Sequence, residues 1–517
     1  MLLIYPPVVK PGEPPAGIAM LSGALCYYGI RHRVLDLNIE GIYFLLQQPG
    51  SDVDTWTSRA RRNLQKNLDA LSTFHLYRNA ARYEHAVMDI SRVLEKSAAD
   101  SGATVGLSNY QHQELSPLRV SDLLYSAGHP ERNPFFPYFE KRLTEVLEEE
   151  RTTLAGFSLN YLSQALCAFA MIGFLKKRFP EMKIILGGGL VTSWMRSRNL
   201  ENPFQGLVDH IVAGPGEHEL LTMHGIRDNG KEYFTPDYDL LPLNDYFAPG
   251  IILPYSGSSG CSWNKCSFCP ERAERSPYLH VPSKNVVGDL EMLINKIRPV
   301  LIHMLDNSIS MEHMKAFIHN PPGVPWYGFA RLSRELADYD FCSSLKRSGC
   351  VMLKLGLESG DQEVLDAMRK GIDLRTASKV LSTLKKAGIA VYAYLIFGTP
   401  AETVCSARKT LEFTSAHSDA IDFLNLAIFN MPAYGDEAQK LGTQHFYEGD
   451  LSLYTDFRHP KGWNRKQVRQ FLENEFKRHP AIAPIVKREP PFFGSNHAPF
   501  FVMEQGTGSW NRELGQT

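Results

Sequence analysis

Between residues 250 and 430 six short apolar runs alternate with helix-favouring stretches, and that alternation confines this part of the chain to βα units and a parallel sheet. The runs are Gly250 to Tyr255, Val300 to Leu305, Trp326 to Ala330, Val351 to Leu357, Ala390 to Phe397 and Phe423 to Phe429. Six such units predict a partial (β/α)6 barrel over 250–432, with its site at the C-terminal ends of the strands.

The N-terminal part uses the same α/β pattern with one interruption. Leu2 to Tyr5 reads as a strand, Ile18 to Tyr28 as a helix and Arg33 to Leu37 as a second strand. From about 41 to 150 long charged stretches such as TSRARRNLQKNLDAL predict a helical insertion, after which LAGFSLN, KIILGGG and HIVAGPGE return to the sheet. Residues 1–230 are therefore expected to form one Rossmann-like domain, 231–249 a proline-containing linker, and 433–517 a small region covering the barrel mouth. In that last region Tyr454, Trp463, Phe492, Phe493 and Phe500 are candidates for a substrate wall or for simple packing, and His497 for a structural role.

With 55 basic and 56 acidic residues in 517, the chain carries no electrostatic footprint for nucleic acid or an anionic membrane. No apolar run has the length of a membrane span, and MLLIYPPVVKPGEPP breaks at prolines without a basic stretch, so a cytoplasmic location is expected. Eight cysteines are too few for a disulfide scaffold. Three of them, Cys261, Cys266 and Cys269, lie in GCSWNKCSFCPER, just after the first barrel run. Three thiolates on one loop suit an iron-sulfur cluster with one iron left for a small molecule, since a fully protein-held 4Fe-4S cluster takes four. A zinc site is the alternative, but it usually wants a fourth ligand, and the next histidine, His280, is eleven residues away.

These residues resemble the radical SAM superfamily, whose usual nest is C-x3-C-x2-C with an aromatic residue before the last cysteine. Phe268 stands at that aromatic place, and one additional residue separates Cys261 from Cys266. DNS at Asp306 to Ser308, GFARL at Gly328 to Leu332, GLESGDQEVLDAMRKG at Gly356 to Gly371 and LIFGTPAET at Leu395 to Thr403 look like later landmarks in family order. The resemblance implies a 4Fe-4S cluster on the three cysteines, S-adenosylmethionine on its open iron, and a flavodoxin or ferredoxin as electron donor. It also makes Glu358 or Ser359 candidates for the ribose hydroxyls. Arg331 becomes a candidate for the methionine carboxylate, and Gly398 and Gly356 for close backbone approach; each has a plain structural alternative, a helix cap, a surface ion pair or loop geometry. Asp306 is left between substrate contact and helix capping.

The strand-end loops of the first domain, with Ser158, Gly187, Gly188, Gly189, Gly214, Gly216 and Glu217, look like the cobalamin-binding domain that precedes the barrel in one branch of the superfamily, the class B methyltransferase-like enzymes. The D-x-H-x-x-G motif that supplies a lower histidine ligand is absent, so cobalamin, if bound, is expected without it. The alternative is a domain that keeps the fold and not the cofactor. The resemblance implies C-methylation of an unactivated carbon. A cyclase or rearrangement enzyme and a non-catalytic cobalamin or iron-sulfur sensor are the other readings.

Overall fold

The computed structural model describes residues 1–49, 54–198, 202–226, 233–444 and 449–503. Two parallel sheets organise it. The first has five strands, β1 (Leu2–Tyr5), β2 (Arg33–Asp36), β3 (Leu154–Ser158), β4 (Lys183–Gly187) and β5 (His210–Ile211), in the order β2-β1-β3-β4-β5. The order reverses between β1 and β3, and such a switch point opens a crevice at the carboxyl ends of the strands. Helix α1 (Ala16–Tyr27) follows β1 across that crevice.

The segment between β2 and β3 is helical, as its charge pattern predicts: α2 (Leu37–Gln47), α3 (Thr55–Leu71), α4 (Ala80–Ser97), α5 (Val120–Gly128) and α6 (Phe136–Glu150). Asp36, Asp54 and Asn79 cap the first three by accepting backbone N–H groups of the opening turns. A short antiparallel hairpin, Ala103–Val105 with Tyr110–His112, also lies here. Three-residue strands carry too little period-two signal to be seen in sequence.

Helices α7 (Leu162–Arg178), α8 (Gly189–Arg198) and α9 (Glu217–Met223) complete the first domain. The second sheet has six strands in sequential order: β6 (Ile252–Tyr255), β7 (Leu301–Met304), β8 (Trp326–Ala330), β9 (Cys350–Glu358), β10 (Ala390–Phe397) and β11 (Phe423–Ile428). All neighbours pair in parallel, giving the partial barrel. Its outward side chains, among them Leu253, Ile302, Leu353 and Val391, bury against the surrounding helices.

The inward side chains near the strand starts, Ile252, Leu301, Tyr327, Met352, Tyr392 and Phe423, belong instead to the core that runs through the helical insertion. The C-terminal region explains this continuity and departs from the expectation of a lid. Phe493, Ala498 and Phe500 pack into that same core at the floor of the barrel. Phe500 meets Tyr77 of the insertion at 5.2 Å between rings, and Phe492 packs against the same core. His497 is fully buried, stacks on Phe493 at 4.0 Å and shares a 2.7 Å hydrogen bond with Tyr83 of α4. Burial holds its imidazole down at about 3, so it stays neutral and serves as a pin between the helical insertion and the C-terminal segment. Tyr434, Asp436 and Tyr454 of this region lie toward the cysteine loop instead.

Candidate active site

The cysteine loop leaves the end of β6 and is fastened before the first thiol and again between the first and second. Asp306, fully buried, accepts the Gly257 N–H at 3.1 Å and the Ser258 hydroxyl at 2.6 Å. It therefore anchors the start of the loop, a role different from both substrate contact and helix capping. Further along, the Trp263 indole donates to the Arg369 carbonyl at 3.0 Å, and the Arg331 guanidinium lies 4.0 Å from the Trp263 ring. Arg331 also donates to the carbonyls of Lys370 and Gly371. One nitrogen of its guanidinium is thus engaged by the turn after β9, beside the cysteine loop.

Phe268 packs between two small apolar groups, Val364, Leu365 and Met368 on one side and Phe429 and Met431 on the other. Burial raises the Cys266 thiol, against the opposing charges of Lys370 and Arg331. Cys269 is pushed up to about 11 by burial, opposed by the Glu271 and Arg272 backbone N–H groups. Among the described residues no three His, Cys, Asp or Glu side chains converge on a single-ion site. Three thiols spread on one loop, with two cations beside them, are a donor set suited to a cluster whose thiolate charge needs compensation.

Glu358 ends β9 at φ +66, where the pairing with β10 slips, and forms an ion pair with Lys370 at 2.7 Å. A Cβ on Gly356 would come within 2.6 Å of the Glu358 carboxylate and 2.7 Å of the Lys370 ammonium, so a side chain there would push the pair aside. Ser359 turns inward: it is fully buried, its hydroxyl is shared with Thr410 at 3.1 Å, and it accepts the Asp361 N–H. Of the two ribose candidates, only Glu358 remains at the mouth. Gly398, at φ +83, donates its N–H to Glu402, which also accepts from Trp463 at 2.9 Å. Trp463 thus buttresses the turn after β10, while burial raises the Glu402 carboxyl to about 7. Tyr454 lines a shallow recess with Pro270, Ala273, Glu274 and Tyr434 beside the cysteine loop.

The first domain contributes a crevice of about 160 Å³ at its switch point. Ser158, Gly187, Gly188, Gly214, Gly216 and Glu217 line it, with apolar Leu3, Ile185, Val212 and Leu220 beneath. Gly189 stands at the rim, its N–H donating to Asn160 at 2.9 Å. Gly188 has φ +107, and a side chain there would collide with the Leu159 backbone. A Cβ on Gly216 would lie 3.2 Å from Leu21. Bare backbone facing an apolar floor is a cradle for a large, flat ligand. Arg196 of α8 stands between the two sites, 3.4 Å from where a Gly214 Cβ would lie and 3.0 Å from the Ser276 hydroxyl after the cysteine loop.

A buried polar chain on the barrel floor escaped the sequence reading. Glu13, from the loop after β1, meets His303 of β7 at 2.9 Å, and the other nitrogen of that ring meets Lys354 of β9 at 2.8 Å. A charged residue at an inward position of an apolar strand, MLKLGLE, was the available signal.

The radical SAM superfamily profile matches residues 255–414, which hold the cysteine loop and most of the second sheet. An uncharacterised methyltransferase of Pyrococcus horikoshii is 24% identical over 285 residues, 48% of this chain and 60% of that protein. An anaerobic magnesium-protoporphyrin IX monomethyl ester cyclase of Rubrivivax gelatinosus is 23% identical over 344 residues, 58% of this chain and 60% of the relative. The chain thus spans 60% of the length of each. The radical SAM methyltransferase TsrM of Kitasatospora setae, solved with tryptophan substrate and an S-adenosylmethionine analogue, shares the fold at TM-score 0.55 and 14% identity, over 94% of this chain and 89% of that one. Its form with cobalamin and a 4Fe-4S cluster aligns at TM-score 0.51 and 15% identity, over 92% and 85%. Among the described residues no helix is long and apolar enough to cross a membrane.

Proposed function

We propose that this chain is a cobalamin-dependent radical SAM methyltransferase acting on an unactivated carbon of its substrate. The observation that carries the reading is Arg196, which brings the glycine crevice and the cysteine loop within one side chain of each other. The cobalamin-bearing TsrM fold and the Pyrococcus methyltransferase support it. When bound, the cluster would supply the electron that cleaves S-adenosylmethionine, and cobalamin would carry the methyl group.

The chain's own residues have defined parts in this reading. Cys261, Cys266 and Cys269 would hold the cluster, and Arg331 and Lys370 would offset their negative charge. Glu358, fixed by Lys370, meets the ribose hydroxyls. Gly187, Gly188, Gly214 and Gly216 admit a flat ring system against Leu3 and Val212, with Ser158, Gly189 and Glu217 at its edge. Burial raises the Glu217 carboxyl. Electrons come from a flavodoxin or ferredoxin.

The test is anaerobic purification, reconstitution with iron, sulfide and cobalamin, and analysis of products. Formation of 5′-deoxyadenosine with retained cobalamin is the expected result; protein that binds both cofactors and never cleaves S-adenosylmethionine is a sensor, and the proposal fails. The ester cyclase relative favours a second reading, ring formation without methylation. Product mass separates the two.

A further inference from the structure

Along β9 the inward positions step from the barrel floor to the cysteine loop: Met352, Lys354, Gly356, Glu358. At the rise of an extended strand, Lys354 lies about 13 Å below Glu358. Between them Gly356, Phe329 and Tyr394 are partly exposed, so the interval is reachable by solvent. Its walls are aromatic: Phe329 and Tyr394 stand 4.9 Å apart and Tyr392 and Tyr394 5.2 Å.

At the foot of this shaft the polar groups are incompletely matched. Lys354 is 4% exposed, and His303 is its one hydrogen-bond partner among the described residues. The ammonium lies 4.2 Å from the Phe329 ring and 5.4 Å from Tyr327, leaving N–H donors directed at ring faces. Because Lys354 donates to Nε2 of His303, Nδ1 carries the proton donated to Glu13. The imidazole is held flat by Tyr327, stacked at 4.4 Å and 7°. The Tyr327 hydroxyl, fully buried, has no hydrogen-bond partner among the described residues. A buried cation with spare donors and an orphaned hydroxyl on the neighbouring strand are costly to keep unless a ligand completes them.

We propose that Lys354 and the Tyr327 hydroxyl form an oxyanion subsite that holds a carboxylate of a substrate with a planar, apolar body, directing the other end of that substrate up the shaft toward Glu358 and the cysteine loop. The assignment rests on the reading of the barrel as the reaction chamber. His303 and Glu13 are positioning residues, since they act through Lys354.

The groups facing Lys354 set its pH response. Glu13 and Lys10 come from the loop after β1, His303 from β7, Tyr327 from β8, Tyr392 and Tyr394 from β10, and Glu489 reaches Tyr392 at 2.6 Å from the C-terminal segment. Burial lowers Lys354 to about 7, with Lys10 adding and Glu13 opposing. Burial tends to raise Glu13, but His303 and Lys354 hold it below its ordinary value, so it stays ionised near neutrality. Burial lowers His303, which is neutral over the same range. Anion binding therefore follows Lys354: full below about pH 7 and falling about tenfold per unit above it.

Ligand-observed NMR on the full-length, cluster-reconstituted protein tests this with benzoate as the probe and benzamide as its uncharged match. Benzoate is expected to bind at about pH 6 at least tenfold more tightly than benzamide, and to lose that advantage by about pH 9. Lys354→Met is expected to lose at least tenfold for benzoate alone, and Tyr327→Phe about threefold. Equal binding of the two probes, a flat pH profile, unchanged benzoate affinity in Lys354→Met, or no benzoate binding at about 10 mM overturns the proposal. The unaltered protein alone decides the first, second and last of these if a variant does not fold. Formation of 5′-deoxyadenosine by the same unaltered preparation reports separately on the radical SAM reading.

Discussion

The barrel mouth and the crevice of the first domain are both strand ends of parallel sheets, yet they are made of different material. At the mouth, charged side chains are held by protein groups: Arg331 by carbonyls, Lys370 by Glu358, Asp306 by the Gly257 and Ser258 donors. In the crevice the surface is mostly glycine backbone and aliphatic side chain, with Ser158, Asn160 and Glu217 among it. The contrast teaches that the mouth is built to meet a ligand by electrostatics and the crevice to meet one by shape.

Replacing Cys261, Cys266 and Cys269 together by alanine sets the strongest test of that division. Iron and 5′-deoxyadenosine formation are expected to vanish, while cobalamin retention, measured by absorption after gel filtration, persists. Loss of both would mean that the two sites are one cooperative structure. In the converse variant, Gly188→Ala, a Cβ must fit at φ +107 against Leu159. It is expected to lower cobalamin retention by about tenfold or more, at a strain of about 1–3 kcal/mol, with iron content unchanged.

Lys370→Met strips Glu358 of its partner without touching a cysteine ligand. The KM for S-adenosylmethionine is expected to rise about tenfold, and an unchanged KM would remove Glu358 from the ribose site. The smallest effect concerns pH. Glu402 titrates at about 7 in the folded protein and near 4.5 when unfolded. Below 4.5 both states hold the proton; as pH rises the unfolded chain releases it first, so stability falls between these values and levels off above about 7. The loss is on the order of 3 kcal/mol, and Glu402→Gln should flatten this part of the thermal-unfolding profile against pH.

The two regions also differed in how much of them could be read from sequence. Strands of the barrel were legible because buried parallel strands are continuous apolar runs: Trp326–Ala330 and Ala390–Phe397 coincide with their runs residue for residue. The glycines of the crevice were legible because a backbone approach leaves only glycine as a choice. Side-chain direction at the mouth was not. Glu358 and Ser359 are adjacent in the chain, but one faces the shaft and the other Thr410, and only the slipped pairing with β10 determines which. The aromatic tail was misplaced for a related reason: density of rings announces packing without naming the partner, and its partner was the helical insertion some four hundred residues earlier, where Tyr83 meets His497. The Glu13, His303 and Lys354 chain joins three distant segments, so no local window contains it.

The additional residue in the cysteine loop gives Trp263 a place to lie over Gly371, which at φ +65 has no room for a side chain beneath the indole. Protein groups alone thus lash the loop to the turn beyond β9. An enzyme whose inorganic centre is destroyed by air would on this account keep the mould, and refilling it with iron and sulfide would require chemistry but no refolding.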